Sequence, residues 1–282
     1  MRSTISPYIQ LMRLDKPVGI YLVLWPALWA LWLAADGFPP WPILAIFIAG
    51  AVVMRSAGCV INDYADRHWD GAVARTCARP LVTGALSVKQ ALGLFVSLIV
   101  VAFVLVLALN DLTQRLAVVA LVLAALYPFM KRYTYWPQLF LGAAFAWAIP
   151  MAYAAVQNSV PYQAWWVFII ALIWTLIYDT LYAMADRDDD LKVGIKSTAI
   201  LFGRYDRLII GLLQLLMIVL LLSLGTHFAL ATSYFISVFA VALLFAYHQY
   251  QIRQGEPRAC FDAFKQNHWA GLLIWLGLVF AL

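Results

Sequence analysis

The sequence predicts an all-α integral membrane protein: nine transmembrane helices around a central cavity, one domain spanning residues 1–282. Three features predict it. Hydrophobic residues make up 65% of the chain and charged residues 12%, whereas a soluble domain is about half apolar and about a quarter charged. The apolar residues gather into runs close to the roughly 20 residues a helix needs to cross the hydrocarbon. The basic residues alternate between the two sides of those runs. The composition excludes a soluble enzyme and a disordered chain.

The N-terminal tail, with Arg2, Arg13 and Lys16, has no long apolar region before Pro17 and reads as neither a cleavable signal peptide nor a transit peptide. The first apolar run covers 18–35 and the second 41–61, with Arg55 inside it. A loop of about 20 residues or more follows, carrying Arg67, Arg75, Arg79 and Lys89; loops of that length are often functional. The third run is 89–109 and the fourth 112–130, with Arg115 near the start of the fourth. Lys131 and Arg132 separate it from the fifth, at 137–156. The sixth, 161–184, precedes a second long loop with Arg187, Lys192, Lys196, Arg204 and Arg207. The seventh is 205–224 and the eighth 228–247; Arg253, Arg258 and Lys265 precede the ninth, at 268–282. These runs exceed the roughly 10 alternating residues of a barrel strand, and helices are the other way to satisfy the backbone in lipid. With nine spans, seventeen of the nineteen basic residues fall on one side and only Arg115 on the other. The N-terminus is then cytoplasmic and the C-terminus external. Cys59, Cys77 and Cys260 form no CxxC pair, and the four histidines show no metal-binding spacing; neither set suggests a disulfide or zinc framework.

Eight of the fourteen acids fall in two short stretches, Asp63, Asp66 and Asp70 within 62–70, and Asp179, Asp186, Asp188, Asp189 and Asp190 within 179–190. Both lie where an apolar run meets the cytoplasmic face. At about 100° per residue, Asn62, Asp66 and Asp70 fall at about 0°, 40° and 80°, with Asp63 and Arg55 on the same face. Asp186 and Asp190 are i,i+4 neighbours, and Asp179 joins their stripe. Asp188 and Asp189 point elsewhere and read as solvated. The short likeness between Ala65-Asp66-Arg67 with Asp70 and Ala185-Asp186-Arg187 with Asp190, 120 residues on, suggests an internal repeat.

Like charges along one helical stripe are destabilising, and acids at membrane depth mark function. A hard divalent cation offsets them. Carboxylates with an Asn carbonyl suit Mg²⁺, which typically bridges a few carboxylates to substrate phosphates. A diphosphate of about −3 with four carboxylates totals about −7; two Mg²⁺ ions reduce that to about −3, and nearby cations such as Arg67 take the remainder. A diphosphate at the rim with its tail in lipid suggests a polyprenyl diphosphate. Its departure leaves an allylic cation, which needs π-rich walls and exclusion of water. Tyr178 and Tyr182 are candidates to stabilise that cation; packing and interfacial belts are the ordinary role of such residues.

At these residues the sequence resembles the UbiA-type intramembrane prenyltransferases. The likeness rests on N-D-x-x-D-x-x-x-D at 62–70 and D-x-x-x-D at 186–190, and extends through LMRLDKPVG (11–19), LWPALWALW (24–32), AGCVINDYADR (57–67), YPFMKRYT (127–134), YDTLYAMADRDDD (178–190) and KSTAILFG (196–203). It implies nine helices, Mg²⁺ dependence, a cytoplasmic-side active site in the bacterial inner membrane, and prenylation of 4-hydroxybenzoate ortho to its hydroxyl, an early step towards ubiquinone. In the family pattern Asn62, Asp66 and Asp70 bind one Mg²⁺, and Asp186 and Asp190 the other. Lys131 and Arg132 match a segment over the site and are candidates to hold the diphosphate; the positive-inside rule accounts for them equally. Arg55 is a candidate for the acceptor carboxylate, since guanidinium pairs bidentately with carboxylate, and pairing with an Asp on its own face is the alternative.

Two other classes share some of these features. CDP-alcohol phosphotransferases use D-x-x-D-G, but here Asp66 and Asp70 are four apart, and the residue four after Gly84 is Val88 where an Asp is required. A secondary transporter permits membrane-depth acids, but places them near the midplane, not at one rim.

Overall fold

A computed structural model describes residues 6–69, 71 and 76–282. Asp70 and Arg75, both singled out above, lie outside the described residues. The described chain is helical throughout: α1 (Pro7–Met12), α2 (Val18–Ala35), α3 (Trp41–Asp66), α4 (Val88–Leu107), α5 (Asp111–Tyr133), α6 (Pro137–Ala146), α7 (Ala148–Gln157), α8 (Tyr162–Val193), α9 (Thr198–Phe202), α10 (Asp206–His227), α11 (Thr232–Gln251) and α12 (Pro257–Val279). Eight segments are long and apolar enough to cross a membrane, with α6 and α7 together making one and α9 with α10 another.

The ninth long helix is α12, and it differs from the expected 268–282 run. It starts eleven residues earlier, at Pro257, and its first turns carry Arg258, Asp262 and Lys265. The apolar pattern alone begins only where those charges stop. A second difference is the break between α6 and α7 at Trp147. Pro150 has no N–H to give the carbonyl of Ala146, so one turn of the ladder is lost there. A third concerns α3, which ends at Asp66 and is followed by turns through 67–69. Among the described residues, Arg55, Asn62, Asp63 and Asp66 of that face lie on α3 itself. By contrast α8 runs unbroken from Tyr162 through Asp190, so Asp179, Asp186 and Asp190 do share one helix. Its 32 residues span about 48 Å, longer than the roughly 30 Å hydrocarbon core requires.

Helix packing encloses a cavity. α2 packs on α3, α7 and α12; α3 on α4; α5 on α6; and α8 on α6 and α12. α10 and α11 stand behind α8 and α12 and contribute no residue to the cavity lining. α4 and α5 meet only loosely. An aromatic cluster packs where α2, α8 and α12 converge: Trp29 and Trp174 lie 5.1 Å apart between ring centroids, and Trp29 Nε1 donates to the carbonyl of Gly271 at 2.9 Å. A Cβ on Gly271 would sit 2.3 Å from Trp25 Cδ1 and 2.7 Å from Trp174 Cη2. Only a residue without a side chain lets α12 approach that closely.

Candidate functional site

The cavity has a volume of about 1280 Å³. One end is polar and charged and the other apolar. Along α5 the lining runs from Lys131 back to Gln114, seventeen residues or about 26 Å of helix. At the far end it reaches the seam between α4 and α5, where Phe103, Leu107 and Val118 line the cavity and are largely exposed. An apolar arm thus leads from a charged mouth to the seam of α4 and α5.

At the mouth, α3 supplies Asn62, Asp63 and Asp66. Asn62 Nδ2 donates to Asp66 Oδ2 at 3.2 Å, the i,i+4 contact that helical geometry provides. Lys131, at the end of α5, forms a salt bridge to the same oxygen. Asp66 Oδ1 is buried with no hydrogen-bond partner. A buried carboxylate oxygen without a donor is costly, and a hard cation is the ligand it suits. Asp186 and Asp190 face the cavity from α8, and neither is without a partner. α3 and α8 are not a packed pair, so the two acidic groups confront each other across open space. Among the described residues no three His, Cys, Asp or Glu side chains converge on one point. That suits Mg²⁺ shared with phosphate oxygens, which takes only one or two carboxylates from the protein. Asn62, Asp66, Asp186 and Asp190 therefore fit a divalent cation; Asp70 lies outside the described residues.

The basic residues divide. Lys131 lines the cavity. Arg132 does not: it donates to the carbonyl of Ala65 at 2.8 Å and lies 4.5 Å from the Trp69 ring centroid. Arg67 also lies off the wall, donating to the carbonyl of Tyr64 at 2.6 Å with its guanidinium over that ring. Both hold the end of α3 in place instead of reaching a ligand in the cavity. Sequence reasoning missed Arg13 and Arg79. Asp63 Oδ1 accepts from Arg13 at 2.7 Å and pairs with Arg79 at 3.0 Å, and its side chain is 1% exposed. This buried carboxylate ties the end of α1 and the 76–87 loop to α3. The only sequence signal was Asp63 itself, an acid on the stripe without a metal role.

Lys196 also lines the mouth. Its backbone N–H donates to the carbonyl of Lys131 at 2.9 Å, which joins the loop after α8 to the end of α5. Arg187, beside Asp186, forms a salt bridge to buried Asp206 at the start of α10. This fixes the rotation of the protruding end of α8 and keeps Asp186 turned to the cavity.

Aromatic rings line the wall below the acids. Tyr182 faces the cavity and lies edge-on to Phe264 at 5.0 Å. Tyr178 is also at the wall, but its ring is buried against Trp174 and its hydroxyl donates to Thr175 Oγ1 at 3.2 Å. Tyr178 is almost fully buried, so Tyr182 offers the cavity the larger ring surface of the two. Arg55 lines the cavity from α3 and forms no salt bridge with a described residue. Pairing with an Asp on its own face does not occur among the described residues.

The model of the UbiA prenyltransferase family matches residues 23–276. The chain is 60% identical to a 4-hydroxybenzoate octaprenyltransferase of Hydrogenovibrio crunogenus, over 99% of this chain and 98% of that one. It is 56% identical to the protein of the same name from Saccharophagus degradans, over 99% of this chain and 93% of the relative. Among solved structures it superposes on a UbiA homolog from Aeropyrum pernix K1 with a TM-score of 0.81 at 23% identity, covering 92% of this chain and 97% of the other. A UbiA homolog from Archaeoglobus fulgidus bound to GPP and Mg²⁺ gives a TM-score of 0.76 at 17% identity, covering 97% and 99%.

Proposed function

The chain belongs to the UbiA prenyltransferase family, and from that premise we propose that it transfers a polyprenyl group from a polyprenyl diphosphate to 4-hydroxybenzoate, ortho to the hydroxyl. The observation that carries this reading is the cavity itself: a mouth where Asp66 and Lys131 meet Asp186 and Asp190, continuous with an apolar arm that ends at the seam of α4 and α5. Amphiphiles with a polyanionic head and a long hydrocarbon tail match that shape. The names of the relatives, and the prenyl diphosphate bound by the archaeal homolog, support the same choice.

Asn62, Asp66 and Asp70 from the first acidic segment, with Asp186 and Asp190 from the second, would hold Mg²⁺. When bound, the metal neutralises the charge that develops on the departing diphosphate. The protein's own residues do the rest. Lys131 supplies a mobile positive charge that can pass from Asp66 to a phosphate oxygen. Tyr182 and the ring of Tyr178 face the allylic carbon with π surface, which stabilises positive charge without competing as a nucleophile. The apolar wall excludes water that would capture the cation. Arg55 holds the acceptor carboxylate by paired charge-assisted hydrogen bonds. The ring carbon beside the phenol carbon attacks the allylic carbon, the C–O bond to diphosphate breaks, and the proton on the attacked ring carbon leaves to restore aromaticity. The mouth opens at the helix ends whose loops carry most of the basic residues in the sequence, which supports an active site on the cytoplasmic side of the inner membrane, with the N-terminus on that side and the C-terminus periplasmic.

The test is prenyl transfer in membranes containing the protein, given labelled 4-hydroxybenzoate and a polyprenyl diphosphate with Mg²⁺ or with EDTA. A lipid-soluble labelled product that requires Mg²⁺ is expected. No product from folded protein would overturn the acceptor assignment, and failure with every aromatic acceptor would overturn the reaction.

A further inference from the structure

Between α2 and α3 the cavity wall holds an arginine seated against a glycine. Arg55 lies about two turns below Asn62 on α3 and is half-buried. Its guanidinium has no salt-bridge partner among the described residues, and it lies within electrostatic range of Asp179 and Tyr127 across the cavity. Half-buried and without an ion pair among the described residues, this guanidinium has a planar fork built to take a carboxylate with two parallel bonds. That selectivity depends on the fork being aimed, because a long side chain otherwise samples many rotamers.

The aim is set from the opposite helix. A Cβ on Gly19 would lie 2.5 Å from Arg55 Nε, 2.6 Å from Nη2 and 2.9 Å from Cζ, and these are its three nearest atoms. The guanidinium thus occupies the volume that any side chain at position 19 would fill. We propose that Gly19 is a positioning residue for acceptor selection: its missing side chain is the berth of the Arg55 guanidinium, and it holds that group where it grips the carboxylate of an aromatic acid. This rests on the reading that the acceptor is 4-hydroxybenzoate. The atoms in contact are the far end of a flexible side chain, so Gly19→Ala displaces the guanidinium and leaves the α2–α3 backbone in place.

The experiment is steady-state kinetics on Gly19→Ala, Arg55→Ala and the double variant, with KM taken separately for 4-hydroxybenzoate and for the prenyl diphosphate. Melting temperature in detergent is measured alongside. Lost charge-assisted pairing raises the acceptor KM of Gly19→Ala by about tenfold to a hundredfold, with kcat and the diphosphate KM held within about threefold. The double variant is expected to match Arg55→Ala, because the glycine acts only through the guanidinium. Equilibrium binding gives a second readout: wild-type protein should prefer 4-hydroxybenzoate to its methyl ester, and Gly19→Ala should lose that preference. Should Gly19→Ala fail to fold, the double variant, with no guanidinium to displace, must fold for the proposal to stand. An unchanged acceptor KM in a folded Gly19→Ala protein, or additive effects in the double variant, overturns the proposal. Absence of transfer to 4-hydroxybenzoate by wild-type protein overturns the underlying function instead, so the two failures are separable.

Discussion

Replacing Asp63 by Asn tests whether the mouth is held together electrostatically. The Asp63 side chain is 1% exposed, and its Oδ1 serves both Arg13 and Arg79, whose side chains are 24% and 12% exposed. The amide is nearly isosteric, so the substitution removes charge with little change in volume. The two guanidiniums then lose the anion they share. Breaking a buried ion pair from one side costs about 3–5 kcal/mol; both arginines keep some contact with water, which puts the expected cost near the lower figure, about 3 kcal/mol. At about 2–4 °C per kcal/mol for a chain of this size, the melting temperature should fall by about 6–12 °C. Arg79→Gln should cost less, since Arg13 still covers the carboxylate. The assay is thermal unfolding in detergent, read by loss of the monodisperse peak after heating. A drop in Asp63→Asn under about 2 °C, or an Arg79→Gln protein less stable than Asp63→Asn, would show that the clamp does not hold the mouth.

The site makes further predictions. Asp66→Ala and Asp186→Ala should each lower kcat by more than about a hundredfold while the protein still inserts, measured in membranes normalised by immunoblot; a variant within about tenfold of wild type would remove that residue from the metal assignment. Lys131→Ala should raise the diphosphate KM by about tenfold or more, and Arg132→Ala by less than about threefold, because only Lys131 reaches the cavity; equal effects would contradict that division. Gly271→Ala should destabilise by about 1–3 kcal/mol through collision with Trp25 and Trp174, visible as a lower melting temperature with KM values unchanged.

The spans were legible because crossing a membrane imposes length and apolarity on each helix, and six of the nine runs match their helices to within five residues at either end; the sixth continues as helix through its charged end to Val193. The exceptions have local causes. Pro150 interrupts the fifth span at a point hydropathy does not register, and α12 begins with charged turns that read as loop. In the site, Asn62, Asp66, Asp186 and Asp190 could be picked out because acids are rare in this composition. The cations could not be sorted in the same way. Lys131 and Arg132 are adjacent and equally basic, yet one reaches the cavity and the other Trp69. Arg13 and Arg79 lie 50 and 16 residues from Asp63 in sequence, and neither carries a pattern that marks the contact. The seat of Arg55 depends on how closely two helices approach, which no single-helix period records.

The seam between α4 and α5 decides what concentration means for this protein. Phe103, Leu107 and Val118 belong at once to the cavity wall and to the exposed surface. On the proposed function, the donor's hydrocarbon tail would reach the arm by sliding within the bilayer plane and would never have to leave it. The quantity that governs encounter is then the number of tails per unit of membrane area. Adding inert lipid at fixed total amounts of enzyme and donor would slow turnover as the surface is diluted, and adding water would not.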